Sequence, residues 1–377
     1  MDNRLEVLNP DAIYPASDLL LWKHPIRGTK LGLYPPFGCF PNPVVHDDLV
    51  VATAFSPGVV CAVDKNTGER RWQRRLAELG RLPIVAGGCL LVKDSNSLLS
   101  LSAKTGRILW KFTHEGESAE SLPVYTYRGI FIGDRDGVLY CISAKTGQEI
   151  DSIQPSRAWN AAAHATGLVW EDLFITTTNA KLGIAYDLTT GEQVWRQRLP
   201  NRSIYQVLMY EGMVLIRTTK ALYGLSPRTG EIVQRWYWRG MKIQSVAVTG
   251  STLCVAISNE PGRDEQSPAH PRNEILGVRM DRVQWRLPYP RSSGIALRWD
   301  PETRLLYEAM YCGLGIVNPE TGKRNALLTG FTSVLHWHTG QPDNEVGLPS
   351  AENDRLYVLH VSGTIWALRH PPIEALR

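Results

Sequence analysis

Ala62-Val63-Asp64-Lys65-Asn66-Thr67-Gly68-Glu69-Arg70-Arg71-Trp72 and Ala185-Tyr186-Asp187-Leu188-Thr189-Thr190-Gly191-Glu192-Gln193-Val194-Trp195 are two copies of one pattern. A small residue is followed by an Asp two positions on, a Thr-Gly after the Asp, and a Trp four positions after the Gly. Thr-Gly also occurs at Thr105-Gly106, Thr146-Gly147, Thr229-Gly230 and Thr321-Gly322, so the first five copies are spaced 38, 41, 44 and 39 residues apart. The last gap is 92 residues, two periods of 46, and a degenerate copy, Ile275-Leu276-Gly277-Val278-Arg279 with Trp285 after it, fills it. Three residues before each Thr stands Asp64, Ser102, Ser143, Asp187, Ser226 or Asn318. These short polar side chains accept hydrogen bonds from the backbone of a following turn, and the Gly supplies its positive φ.

Outward from each turn the chain alternates as strands do, as in Leu139-Tyr140-Cys141-Ile142. Upstream, Pro43-Val44-Val45, Leu82-Pro83-Ile84-Val85 and Leu122-Pro123-Val124-Tyr125 each open a short strand, and a polar turn and a second apolar strand such as Leu90-Leu91-Val92 follow. Four short strands in roughly 40 residues, repeated, is the arithmetic of a propeller blade. The expected fold is all-β: an eight-bladed β-propeller, or seven-bladed if the copy near Gly277 is not a full blade. Thr364-Ile365-Trp366-Ala367-Leu368 reads as a third strand whose outer neighbour is supplied from the N-terminus by Leu19-Leu20-Leu21-Trp22-Lys23, closing one blade from both chain ends. Closure of this kind removes exposed sheet edges. Residues 1–377 read as a single domain, with 1–18 as an N-terminal extension and 258–273 as a loop insertion.

Composition narrows the class further. In 377 residues, 41 Lys+Arg against 37 Asp+Glu leave a net charge of +4, too mild to imply nucleic acid. Hydrophobic residues at 43% and charged residues at 21% exclude a disordered chain. No stretch approaches the ~20 apolar residues that span a bilayer. Met1-Asp2-Asn3-Arg4-Leu5-Glu6 carries charges where a secretory signal is apolar, which predicts a cytoplasmic protein, and a monomer is expected. The six cysteines include no CxxC and no adjacent pair, and four of them (Cys61, Cys89, Cys141, Cys254) sit in apolar runs. They read as small buried hydrophobes.

The motif small-x-Asp-x-x-Thr-Gly-x-x-x-Trp resembles the tryptophan-docking repeat of PQQ-type, quinoprotein-like propellers over nearly the whole chain. The resemblance implies that each Trp packs between neighbouring blades. That family holds both quinone-dependent dehydrogenases and non-catalytic relatives that include an outer-membrane assembly lipoprotein. Its dehydrogenases often carry an adjacent Cys pair at the cofactor, so this chain reads as a non-dehydrogenase member, with no cofactor expected.

In such a ring the outer-to-inner connections and the turns between second and third strands share one face, and the longest irregular segments, Ser258–Asn273 and Thr329–Pro349, fall there. Function on a rigid scaffold concentrates in such loops. Residues expected to bind a ligand or partner are Arg157, Trp159, Arg239, Lys242, Tyr289, Arg291 and Trp337: arginines suit anions, and exposed aromatics suit a protein partner. The favoured function is a binding scaffold for a protein partner or small ligand, without nucleic acid. The alternative is a cofactor-independent lyase, isomerase or cyclase, with His164, His336, His338, Glu120, Arg157 and Tyr205 as acid–base candidates. His336-x-His338 could begin a metal site with His164, His360 or Asp343, but a bare pair of histidines falls short of a ligand set, and no metal is expected.

Overall fold

The computed structural model describes residues 9–26, 43–54, 58–76, 81–86, 88–114, 123–134, 138–153, 167–178, 181–200, 204–259, 273–289, 295–310, 313–330, 350–352, 354–360 and 363–372. Strands account for nearly all its regular structure, and the one helix among the described residues is a single turn, Ala16–Leu19. Eight sheets form, each built on four antiparallel strands, and in seven of them those four run in chain order from inner to outer. Blade 1 is Val44–His46, Leu49–Ala54, Val59–Asp64 and Arg70–Arg75; blade 2 is Arg81–Ala86, Cys89–Asp94, Ser97–Leu101 and Ile108–Thr113. Blade 3 is Val124–Tyr125, Ile130–Gly133, Leu139–Ile142 and Glu149–Ile153; blade 4 is Leu168–Trp170, Leu173–Thr178, Leu182–Asp187 and Gln193–Arg198. Blade 5 is Ile204–Tyr210, Met213–Thr218, Ala221–Leu225 and Ile232–Tyr237; blade 6 is Met241–Thr249, Thr252–Asn259, Glu274–Arg279 and Arg282–Pro288. Blade 7 is Ile295–Asp300, Leu305–Met310, Gly313–Asn318 and Lys323–Thr329; blade 8 is Ser350–Glu352, Arg355–His360, Thr364–Arg369 and, from the N-terminus, Leu20–Pro25. The degenerate copy is a full blade, with Gly277 opposite Trp285 as Ala185 is opposite Trp195, so the count is eight. The strand before the inserted segment runs to Asn259, so Ser258 belongs to the sheet.

The chain divides into two compact units: residues 1–75 with 238–377, holding blades 6, 7, 8 and 1, and residues 76–237, holding blades 2 to 5. Within the first unit the core lies between neighbouring sheets. Leu305, Ile316 and Leu328 of blade 7 meet Leu356, Val358 and Leu368 of blade 8, and Val50, Cys61 and Val63 of blade 1 meet Tyr357, Ile365 and Ala367 of blade 8. Within the second unit, Phe131 of blade 3 stacks on Phe174 of blade 4 at 4.6 Å, and Ile175 and Trp195 of blade 4 pack with Ile216 and Tyr223 of blade 5.

The repeat's tryptophans lock these seams. The Trp195 indole N–H donates to the Pro227 carbonyl at 2.7 Å, and its ring lies under Gly230, where an added Cβ would meet it at 2.6 Å. Trp110 does the same to Ala144 and Gly147, Trp22 to Lys65 and Gly68, and Trp285 to Pro319 and Gly322. In each case the accepting carbonyl is one residue past the small polar residue of the turn. That residue builds the turn: Asp64 Oδ1 accepts from the N–H of Asn66 and Thr67 at 2.8 and 2.9 Å, and Gly68 sits at φ 73°. The turn bonds and Arg71 at 2.6 Å hold the Asp64 carboxyl down at about 2, the Arg71 bond most of all.

Blades 3, 5 and 7 break the rule, the last two with Gln234 and Ala326 in the Trp position. In blade 3, Asp151 stands four residues after Gly147, where Trp is expected, and pairs with Cys141 as Trp195 pairs with Ala185. Its carboxylate takes an Arg128 N–H at 2.8 Å, and the guanidinium covers Gly191 of blade 4 where an indole would lie.

Two further departures lie in the first unit. Ala12–Pro15 adds a fifth, parallel strand to blade 7 along Ala326–Thr329, so part of the segment ahead of residue 18 belongs to the sheet. Blade 7 also buries an ion pair: the Arg324 guanidinium donates twice to the Glu308 carboxylate, through Nε to Oε1 and through Nη2 to Oε2 at 3.1 Å, with both side chains fully buried. Nη2 also donates to the Pro288 carbonyl at 3.2 Å.

On the opposite face of the same strand of blade 7, the Tyr307 hydroxyl and His370 Nε2 are 2.7 Å apart, and His370 Nδ1 lies 2.6 Å from the Pro371 carbonyl. A carbonyl accepts only, so Nδ1 carries the proton and the Tyr307 hydroxyl donates to Nε2. Burial lowers the His370 pKa against the smaller raising effect of the Pro371 bond. The folded state therefore binds fewer protons here than the unfolded chain. Stability is fully present above the ordinary histidine value and falls as the pH drops below it, at up to about 1.4 kcal/mol per pH unit. Thermal melts from pH 8 to pH 5.5 check this: the decline should be shallower in His370→Gln, and equal slopes would mean the imidazole titrates freely.

Candidate partner-binding end of the blades

The two ends of every sheet are built differently. At the end holding the strand 1–2 and strand 3–4 turns, connections are short, the longest being six residues (102–107, 143–148 and 226–231). At the other end, the second-to-third-strand turn of blade 6 spans 260–273, and outer-to-inner connections span 26–43, 154–167 and 330–349. Sequence variation in length is therefore confined to one end of an otherwise uniform sheet.

The described residues at that end are polar and cationic. Trp238-Arg239-Gly240 and Thr219-Lys220 are complete connections there, with Arg239 and Lys220 exposed. In the second unit, at the same end of the sheets as Lys220, the second strands of blades 2 to 5 finish in buried polar groups. Lys93 is 3% exposed, Asp134 1%, Thr177 1% and Arg217 4%. By register the residue level with Lys93, Thr177 and Arg217 is Gly133 in blade 3, with Asp134 one residue on, and it is Thr53 in blade 1 and Ala256, Ala309 and Leu359 in blades 6, 7 and 8. Asp134 is held by the Val138 N–H at 2.8 Å and the Tyr140 hydroxyl at 3.0 Å, and the buried His114 ring stacks on Tyr140 at 5.8 Å. His114 is fixed by a two-way backbone link with Asn96, whose side-chain amide donates to the His114 carbonyl at 3.0 Å. A buried charge persists only where polar partners surround it, so this tier is a costly arrangement that an apolar strand end would avoid.

In the first unit, Lys242 is half-buried near the start of the inner strand of blade 6, beside the exposed Arg239. Gln244 donates to the Ser258 hydroxyl at 2.5 Å, and the Asn259 N–H to the Asn273 side chain at 3.3 Å, so the base of the insertion is tied by side chains.

Tyr289 is a correction. Sequence reading makes it an exposed anchor, but it is 2% exposed and its hydroxyl donates to the Ile257 carbonyl at 2.9 Å. Burial pushes its phenol well above the usual range. After blade 6 ends at Pro288 the ring turns back under that sheet's second strand, where it is structural. Arg239 and Lys242 are at the expected end. Tyr205 lies in the inner strand of blade 5. His164, His336, His338, Glu120, Arg157, Trp159, Arg291 and Trp337 lie outside the described residues. Lys93, Asp134 and Arg217 are residues the sequence reading missed; the available signal was a charge ending an apolar strand, as in Leu90-Leu91-Val92-Lys93 and Val214-Leu215-Ile216-Arg217.

Among the described residues no cluster of metal-ligating side chains occurs, and no helix is long and apolar enough to cross a membrane. The four described cysteines are free, and burial pushes the thiols of Cys61 and Cys254 up to about 12 and that of Cys141 to about 11. Such thiols are inert near neutral pH.

Eight antiparallel sheets, four of them with an outer-strand tryptophan (Trp22, Trp110, Trp195, Trp285) docked on a glycine turn of the next blade, define an eight-bladed propeller of the tryptophan-docking class. A family model described as outer membrane protein assembly factor BamB matches residues 11–169 and 135–296, and the chain belongs to that family of PQQ-type repeats. It is similar to the assembly factor BamB of Legionella pneumophila (strain Paris), with 24% identity over 142 residues, 37% of this chain and 36% of that protein. It is also similar to the quinohemoprotein alcohol dehydrogenase ADH-IIG of Pseudomonas putida, with 28% identity over 158 residues, 35% of this chain and 22% of that enzyme. The aligned stretches thus span about a third or less of those relatives' lengths. The crystal structure of BamB from Moraxella catarrhalis superposes with a TM-score of 0.53 at 14% identity, over 85% of this chain and 82% of that one, a likeness of fold.

Proposed function

We propose that this chain is a non-catalytic binding scaffold that presents the loop-rich end of its blades to a protein partner. The observation that carries the reading is the asymmetry of the sheets: uniform short turns at one end, and at the other connections of widely varied length. At that end of their sheets the first unit offers the exposed Arg239 beside Trp238, and the second unit offers the exposed Lys220 and a buried polar tier. Rigid sheets with variable loops at one end suit recognition, and an aromatic–arginine surface suits a protein. Membership of a family whose relatives are named as assembly factors supports the same class of activity. Free described thiols fit a reducing compartment, so the proposal keeps the protein in the cytoplasm.

Photo-cross-linking residues placed at 220 and 239, against controls at Glu211 and Asp47 in the short turns, test the reading in cells. A discrete protein adduct from 220 and 239 alone is the expected result. An adduct from the control positions alone would overturn it.

A further inference from the structure

We propose that the outer strand of blade 1, Arg70–Arg75, is a docking edge for an acidic, extended segment of a partner protein, added to that sheet as a fifth strand. The proposal concerns a different surface from the loop-rich end and does not rest on that reading.

The chain itself shows the mode of attachment. In blade 7 the segment Ala12–Pro15 lies along the outer strand in parallel register, Ala12 opposite Ala326 and Pro15 opposite Thr329. The residue that leads it in is acidic: the Asp11 N–H donates to the Arg324 carbonyl at 3.1 Å and its carboxylate meets Lys323 Nζ at 2.8 Å. An outer edge of this fold therefore accepts an extended segment whose leading carboxylate meets a lysine of the strand.

Blade 1 offers a stronger version of that edge. Its outer strand ends its sheet, with no strand on its far side among the described residues. It reads Arg-Arg-Trp-Gln-Arg-Arg, four arginines in six residues and no carboxylate. Each of the other outer strands holds at most two cations. Arg71 is tied to Asp64 at 2.6 Å, while Arg70 and Arg75 are exposed. Main-chain pairing supplies affinity in strand addition, and side-chain charge supplies the choice of partner. The exposed Arg70 and Arg75 at the two ends of the strand repel a second copy of it, which disfavours edge-to-edge self-pairing and leaves an acidic strand as the complementary occupant.

The test uses the full chain and a labelled probe peptide of alternating Val with Asp or Glu, beside the same peptide with Lys and Arg in place of the acids. Fluorescence polarisation should show binding of the acidic peptide only, weakening about tenfold or more between low salt and about 0.3 M salt as the screening length shortens. Amide exchange should slow within residues 70–75 on binding. The double variant Arg70→Glu/Arg75→Glu should lose the binding about tenfold or more with its melting temperature nearly kept, whereas Glu149→Lys on the outer strand of blade 3, an exposed site elsewhere, should leave it unchanged. Equal binding of both peptides, protection elsewhere than 70–75, or full binding by the double variant would each overturn the proposal.

Discussion

Replacing Glu308 by leucine is expected to cost about 3–5 kcal/mol of stability, the usual consequence of stranding a buried charge. The Arg324 guanidinium is fully buried and gives two of its hydrogen bonds to Glu308. The Pro288 carbonyl, which also accepts from Nη2, is a neutral acceptor and does not replace the lost carboxylate. Arg324→Leu should cost a similar amount by leaving Glu308 buried and unpaired. The double variant should recover most of either loss, because two apolar side chains fill the space without a charge to desolvate. The neighbouring glycine belongs to the same device: a Cβ at Gly315 would meet the Glu308 carboxylate at 2.1 Å, so the strand needs glycine there for the acid to fit. Chemical denaturation of the three variants checks this, with a strong favourable coupling expected. Additive losses in the double variant would mean that the two side chains act separately.

Trp195→Ala carries the second large effect, also about 3–5 kcal/mol, the range for deleting a buried aromatic. The indole fills the seam between blades 4 and 5, donates to Pro227 and supports Gly230 from below. Trp195→Phe should recover part of the loss, since it restores packing without the N–H. Gly230→Ala attacks the same contact from the other side: φ 73° disfavours a side chain, and the new methyl would press into the ring at 2.6 Å. The pair Trp195→Ala/Gly230→Ala should lose less than the sum of the two. A loss below about 1 kcal/mol for Trp195→Ala would show that the seam repacks and that the repeat's signature residue is dispensable.

These seams were legible in the sequence because the repeat places turn and Trp at fixed offsets. The offset from Asp64 to Gly68 fixes a hydrogen-bonded turn, and the offset from Gly191 to Trp195 fixes where the indole leaves its strand. The Arg128–Asp151 pair was not legible, because its members are far apart in sequence and nothing local marks an arginine in one turn as the substitute for an indole on another strand. The fifth strand, Ala12–Pro15, escaped notice for a different reason: four residues ending in proline are too short for alternation to register, and its partner strand lies about 310 residues away. At the candidate site, the end of the blades was legible from loop lengths, and Arg239 and Lys242 lie there as expected. Tyr289 was misread because a residue just past a strand looks exposed until its chain is seen to turn back to Ile257. Lys93, Asp134 and Arg217 carry a local signal, a charge closing an apolar strand, that apolar patterning alone passes over.

The most direct test of the working end is amide hydrogen exchange on the chain with and without a partner captured by the cross-linkers at 220 and 239. Protection centred on 95–96, 219–220 and 238–240, with the turns at 47–48, 171–172 and 211–212 unchanged, is the predicted result. Protection confined to those short turns would contradict the account and move the partner to the opposite end of the sheets.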